Sequence, residues 1–314
     1  MKPSMTMSKK PKVIFIMGAT GTGKSKLSVD IATRFPAEII NSDKIQCYKG
    51  LDIVTNKLHE SERGGVPHHL LGFISNPDAQ FTAEDFCCHA NKSISIITGR
   101  GRTPIVVGGS NSYLAALVDT DFRAKYSLCF IWLDVELLVL FDYVNERVDQ
   151  MVETGLVEEI REYFEPGLDY SRGIRRAIGV PEMDEYFLSE KQQLKDGNNL
   201  DKEVFLRPAI EETKLKTQML VRRQVEKIRR LRDELGWELH RIDPTAVFKR
   251  RRAAEDKAAA WNEVVLTPCL KIVGEFLEED QVLSGGDHEE ENKINVELNV
   301  KADQFRSTSP IFAL

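Results

Sequence analysis

"KVIFIMGATGTGKSKLS", residues 12–28, joins an apolar run, a glycine-punctuated loop and the start of an amphipathic stretch. Val13 to Met17 has the length and unbroken apolarity of a strand buried on both faces of a parallel sheet. Leu27, Val29 and Ile31 begin a helix. Between them Gly18, Ala19, Thr20, Gly21, Thr22, Gly23, Lys24 and Ser25 fit G-x-x-x-x-G-K-[ST] at every position. The glycines let the loop curl so that successive N–H groups point inward, and the helix adds its unpaired first-turn amides. Lys24 brings a mobile positive charge and Ser25 the hydroxyl that usually meets Mg²⁺. Strand, loop and helix in this order predict a phosphate-holding loop.

Further apolar runs at 37–41, 104–107, 128–133 and 238–242 alternate with helical spacing, which predicts an α/β fold: a P-loop NTPase-like parallel sheet flanked by helices. The stretch "FTAEDFCCHANKSISIITGRG" reads as a helix capped by Thr82, with Asp85 in its first turn and Gly99 as its stop. From residue 135 to 207 the strand pattern disappears, so we expect a core in two parts, 12–134 and 208–280. A small helical insertion or lid at 135–207 interrupts it, and a peripheral tail follows at 281–314. "RPAIEETKLKTQMLVRRQVEKIRRLRDELG" reads as one long helix ended by Gly236, with Val221, Val225, Ile228 and Leu235 as its apolar stripe.

The composition narrows the partners. A length of 314 residues with 42% hydrophobic content suffices for a substantial core. The net charge of −6 leaves room for long nucleic acid only at a local basic patch. No apolar run reaches membrane-span length. Five cysteines without C-x-x-C spacing predict reduced thiols, and Cys87-Cys88-His89 lacks a second ligand pair for zinc. "MKPSMTMSKKPK" at the start is basic and free of acids. It predicts a plastid address if it ends a longer transit segment, and the cytoplasm otherwise.

A second stretch, "EIINSDKIQCYKGLDIVTNK" (38–57), delivers one carboxylate, Asp43, to the carboxyl edge of the sheet, where ligands of open α/β folds bind. Lys44, Gln46, Tyr48 and Lys49 behind it can all meet a polar ligand. Asp43 could equally cap a turn. "RTPIVVGGSNSYLAAL" (102–117) adds a strand and a tight Gly108-Gly109-Ser110 turn beside the same edge.

With "VPHHLLGF", "ERVDQMVETGLVEEI", "RRAIGVPE" and "VRRQVEKIRRL", these pieces resemble, in order over residues 12–243, the isopentenyltransferase family. That family comprises tRNA dimethylallyltransferases and the adenylate isopentenyltransferases that begin cytokinin synthesis. The resemblance implies that the loop from Gly18 to Ser25 grips the diphosphate of dimethylallyl diphosphate, with Mg²⁺ on Ser25. The atom alkylated is the exocyclic N6 of an adenine. It implies Asp43 as the base, Lys24 as a stabiliser of the leaving diphosphate, and Thr20 beside the bridging oxygen. Arg147 and Arg223 are candidates for closing over the diphosphate, or else surface ion-pair partners. Gln46 and Ser110 would meet the acceptor nucleotide beside Asp43. Lys214 and Lys216 (and Lys202) could reach its outer phosphates. Asp134 is placed like a Walker B carboxylate, but the resemblance sets it at the entry to the insertion, so it reads as structural.

After residue 230 only Cys269, His240 and His288 could ligate zinc, so the finger of eukaryotic tRNA-modifying members is not expected. The "SDKIQCYKG" and "RRAIGVPEM" variants resemble the plant adenylate branch. The expected reaction is therefore prenyl transfer to ATP or ADP by a monomer acting without tRNA or membrane. The alternatives are tRNA dimethylallylation at A37, a P-loop nucleotide kinase, or an ATP-gated interaction module.

Overall fold

The computed structural model describes residues 10–196, 202–249 and 254–278. Its centre is a six-stranded, wholly parallel sheet of order β3-β2-β4-β1-β5-β6. The strands are β1 (Lys12–Gly18), β2 (Ala37–Asn41), β3 (His68–His69), β4 (Thr103–Val107), β5 (Ser127–Leu133) and β6 (Leu239–Ile242). Helices follow the strands: α1 (Lys24–Ala32) after β1, α2 (Ala83–Gly99) after β3, α3 (Asn111–Leu117) and α4 (Thr120–Lys125) after β4. Between β5 and β6 come α5 (Leu137–Glu153), α6 (Leu156–Tyr163), α7 (Asp184–Asp196) and α8 (Lys202–Asp233). The short α9 (Thr245–Lys249), α10 (Ala254–Trp261) and α11 (Thr267–Glu278) come last, with a π-helical turn joining α10 to α11.

The apolar run of β1 is explained by its two buried faces. Val13, Phe15 and Met17 point into one core, which also holds Phe86, Ile94 and Leu114 from α2 and α3. Ile14 and Ile16 point into a second, closed by Leu27 and Ile31 of α1 and by Trp261, Val265 and Val273 of the last helices. Side chains alternate across a strand, so an all-apolar run needs cover on both sides. A third cluster ties the loop after β1 to the long helices: Ala19 packs with Leu140 and Val144 of α5 and with Val221 and Val225 of α8.

Five strands fall on the expected runs within a residue at either end. The sixth, β3, is a pair of histidines without a strand-like pattern; it exists because His68 and His69 align with Ile39 and Ile40 of β2. The helix α2 has its expected capping box between Thr82 and Asp85, but its stop differs. Gly99 is still helical, and the left-handed residue is Gly101, at φ +68°. Leu235 also leaves the expected stripe: α8 ends at Asp233, Leu235 is 58% exposed, and Leu231 takes the buried place. Among the described residues no strand lies between β5 and β6, and α8 runs unbroken past Pro208. The expected tail at 281–314 lies outside the described residues.

Candidate active site

The loop Gly18–Ser25 sits at the carboxyl end of β1, between the ends of β4 and β5. Its glycines are demanded by neighbours. A Cβ on Gly18 would lie 2.8 Å from the Leu133 carbonyl oxygen, and one on Gly23 would lie 2.6 Å from the Trp261 ring. Gly18, Gly21 and Gly23 all have positive φ, which L side chains adopt only at a cost. The Ala19 carbonyl is turned inward and accepts from Thr22 Oγ1 at 2.9 Å and from Lys24 Nζ at 2.7 Å. The first-turn N–H groups of α1 have no intrahelical partner, as at every helix start.

Lys24 is buried, and burial lowers its pKa from 10.5 to about 8, against the opposing pull of the Asp43 charge and with a further push from Arg147. Both groups therefore act on the Lys24 ammonium. Arg147 reaches in from α5 and donates from Nη2 to Thr20 Oγ1 at 3.0 Å. Its Nε is buried without a partner, and burial also lowers its pKa.

Asp43 lies two residues beyond β2 in a turn of its own. Its Oδ1 accepts from the Ile45 N–H at 2.9 Å, while its N–H donates to Asn41 Oδ1 at 3.1 Å. The Ser42 N–H extends the ladder to the Val107 carbonyl at 2.8 Å, bringing this turn against Gly108. Only glycine fits there: a Cβ on Gly108 would stand 2.6 Å from the Asp43 nitrogen. The next residues complete the wall. Gly109 lies beside Asp43 Oδ2, and Ser110 Oγ accepts from the Lys44 N–H at 3.0 Å. Lys44 has its pKa lowered by partial burial and by Arg176, with Asp43 opposing and Lys227 adding to the push. The Cys47 thiol behind the turn is pushed up to about 12 by burial and by the Asp43 charge.

The structure thus brings together Thr20, Lys24, Asp43, Ser110 and Arg147 of the residues expected at the site. The rest of the loop, Gly18 to Ser25, sits with them, while Gln46, Lys214 and Lys216 are engaged with other partners. Gln46 donates from Nε2 to the carbonyls of Thr55 and Asn56, at 3.0 and 3.2 Å. Lys214 pairs with Asp149 at 2.7 Å and Lys216 with Glu182 at 2.8 Å. Arg223 is exposed on α8. Asp134 is held by Arg241 at 2.6 Å, in keeping with a structural role.

Sequence reasoning passed over Gln224, the neighbour of Arg223. It is 6% exposed, its Oε1 accepts from the Thr20 N–H at 2.8 Å, and its Nε2 donates to the Gly109 carbonyl at 3.0 Å. Its own carbonyl accepts from Asn111 Nδ2 at 3.2 Å. The signal was an amide set into an apolar stripe, between Val221 and Ile228.

Ser25, exposed at the first turn of α1, is the hydroxyl available to a metal ion here. Among the described residues no cluster of three or more His, Cys, Asp or Glu could enclose one. A single hydroxyl beside a loop of this kind suits Mg²⁺, which keeps waters and phosphate oxygens as its other ligands.

The family model described as IPP transferase matches residues 46–125 and 119–231. Adenylate isopentenyltransferase 3, chloroplastic, from Arabidopsis thaliana is 54% identical over 85% of this chain and 80% of its own length. Its mitochondrial relative, adenylate isopentenyltransferase 7, is 47% identical over 89% and 84%. The adenylate isopentenyltransferase of Humulus lupulus is 42% identical over 84% and 90%. Among solved structures, the tRNA isopentenylpyrophosphate transferase of Bacillus halodurans superposes with a TM-score of 0.67 at 27% identity, covering 87% of this chain and 99% of that one. A eukaryotic dimethylallyltransferase acting on tRNA shares the fold, with a TM-score of 0.69 at 24% identity over 95% and 87% of the two chains.

Proposed function

The chain belongs to the IPP transferase family, and from that membership we propose that it moves a dimethylallyl group from dimethylallyl diphosphate to N6 of the adenine of ATP or ADP. Diphosphate is released, and the prenylated nucleotide is the first intermediate of cytokinin synthesis. The enzyme is on this reading a prenyltransferase rather than a phosphoryl transferase. The observation that carries it is one carboxylate, Asp43, fixed at a strand end so close to a phosphate loop that its charge acts on the loop lysine.

The chemistry asks for that pair. The N6 lone pair is delocalised into the purine, so attack on the allylic carbon needs a base and a stabilised leaving group. As the C–N bond forms and the C–O bond to diphosphate breaks, the N6 proton passes to Asp43 Oδ2, the oxygen not engaged by Ile45. Such a base contributes about 10²–10⁴ in rate. Charge grows on the departing oxygen, where the loop amides, Lys24, Thr20 and Arg147 meet it. Mg²⁺, when bound at Ser25, supplies further charge neutralisation to the diphosphate. The 135–207 segment serves as a lid, excluding the water that would otherwise trap the allylic carbon. Arg223, Gln46, Lys214 and Lys216 stay candidates for substrate contact once that lid moves.

The protein is expected to work on these small molecules as a monomer, and among the described residues no helix is long and apolar enough to cross a membrane. The Arabidopsis relatives carry chloroplastic and mitochondrial addresses in their names; for this chain the proposal is the plastid where a transit segment precedes it, and the cytoplasm otherwise. The likeness to tRNA enzymes makes tRNA prenylation the second reading.

One product assay separates them: purified protein with Mg²⁺ and dimethylallyl diphosphate, given ATP, ADP, AMP or unmodified tRNA in turn, beside Asp43→Ala. Prenylated ATP or ADP, reduced about 10²–10⁴-fold in the variant, is the expected result. Product on tRNA alone moves the chain to the other acceptor. ADP formed from ATP without the prenyl donor returns it to the kinases.

A further inference from the structure

We propose that Gln224 is a positioning residue that sets the distance between the donor loop and the base, through the two ends of its side-chain amide. The inference rests on the reading given under Proposed function. Each end of the amide is committed to a different substrate's wall. Oε1 accepts from the Thr20 N–H of the phosphate loop at 2.8 Å, and Nε2 donates to the Gly109 carbonyl at 3.0 Å. Gly109 lies beside Asp43: a Cβ there would stand 3.8 Å from Asp43 Oδ2 and 2.2 Å from Gln224 Nε2, so only glycine admits the amide. One planar group therefore spans from the loop that takes the diphosphate to the residue beside the carboxylate that takes the proton.

The amide is itself held from behind. Asn111 Nδ2 donates to the Gln224 carbonyl at 3.2 Å, and the residue sits on α8 between Val221 and Val225, which pack against Ala19 of the loop. Thr20 is gripped from both sides: its N–H by Gln224, its hydroxyl by Arg147 at 3.0 Å. The Gln amide offers an acceptor and a donor on one plane, which neither an ionised carboxylate nor a thioether does. A carboxylate would keep the bond to Thr20 but meet the Gly109 carbonyl with a second acceptor. A thioether of similar length would make neither bond.

Reaction between two bound partners depends steeply on their separation, and a misplacement of about 1 Å costs about 10²-fold in rate. Binding of each partner alone does not depend on that separation. Gln224→Met should therefore lower the single-turnover rate at saturating dimethylallyl diphosphate and ADP by about 10²-fold. Its affinity for inorganic pyrophosphate, and separately for ADP, should stay within about threefold of wild type, the scatter ordinary for contacts left in place. Gln224→Glu, which keeps the Thr20 bond, should fall in the same way.

The test is to measure both affinities by calorimetry and the single-turnover rate by rapid quench for wild type, Gln224→Met and Gln224→Glu. Full binding with a depressed rate supports the proposal. A rate within threefold of wild type in either variant overturns it. So does a loss of binding in both variants large enough to account for the rate, because Gln224 would then serve folding or affinity alone. Should Gln224→Met fail to fold, Gln224→Glu decides by itself. A wild type that transfers nothing to any nucleotide defeats the functional reading instead, an outcome visible before either variant is compared.

Discussion

Lys24 holds its charge in a place that resists it. Its folded pKa, about 8, lies below its ordinary 10.5, chiefly through burial. Between those values the unfolded chain carries more protons than the folded one, so stability rises with pH across that window. At about 1.4 kcal/mol per unit the gain amounts to ~3 kcal/mol in the ligand-free protein. Denaturant titrations in chelator at pH 7.5 and 9.5, which cover about 1.5 units of that window, should show a gain about 2 kcal/mol larger for wild type than for Lys24→Met. Added diphosphate should flatten the slope, since an anion beside the ammonium raises its pKa again. The residues named so far also mark how far a sequence can be read at this scale. Gly18 to Ser25 announce themselves by spacing, because a phosphate loop is local. Asp43 needed the strand before it to gain meaning. Gln224 could not be picked out over Arg223, because the choice depends on which way α8 is rotated, and helical phase is set by packing against Ala19 and Val144.

The ends of α2 carry the element-scale test. Its start was legible because a capping box is made of residues three apart, Thr82 and Asp85. Its end was not, because two glycines stand two residues apart and only backbone geometry separates them. Gly101, at φ +68°, accepts the helix's closing turn; Gly99 has ordinary helical backbone and open space around it. Gly99→Ala should stabilise the protein by about 0.5–1 kcal/mol, since it removes unfolded-state freedom at no steric cost. Gly101→Ala should cost about 1–2 kcal/mol, the penalty for a side chain in the left-handed region. Thermal melts of the two variants with opposite shifts would bear out the assignment; shifts of equal sign would not. β3 was hidden for a related reason. Two histidines make no periodic pattern, and their pairing with Ile39 and Ile40 is a product of register.

At the scale of the whole molecule the apolar runs of the sheet were readable, whereas what covers them was not. One face of β1 is covered by α2, α3 and α4, which come after β3 and β4, and by Ile228 and Leu231 of the later α8. The other is sealed by α1 and by helices some 240 residues away in the chain, where Trp261, Val265, Leu266, Cys269 and Val273 are buried. Fully burying a large apolar side chain contributes about 1.5–3 kcal/mol. Five of them rival the roughly 5–15 kcal/mol by which a typical domain is stable. A chain ending at residue 253 should therefore be insoluble or unfolded by circular dichroism, even though every residue proposed for chemistry remains in it. The same distant segment lays the Trp261 ring over Gly23, with its Nε1 donating to Asp30 at 2.8 Å and Lys26 Nζ 5.4 Å from the ring centre. An indole so placed shares its surroundings with the phosphate loop. Its emission should shift when pyrophosphate is added, and the shift should vanish in Trp261→Phe. The protein then carries its own optical gauge of an occupied loop, readable in a cuvette without radiolabel, dye or product separation.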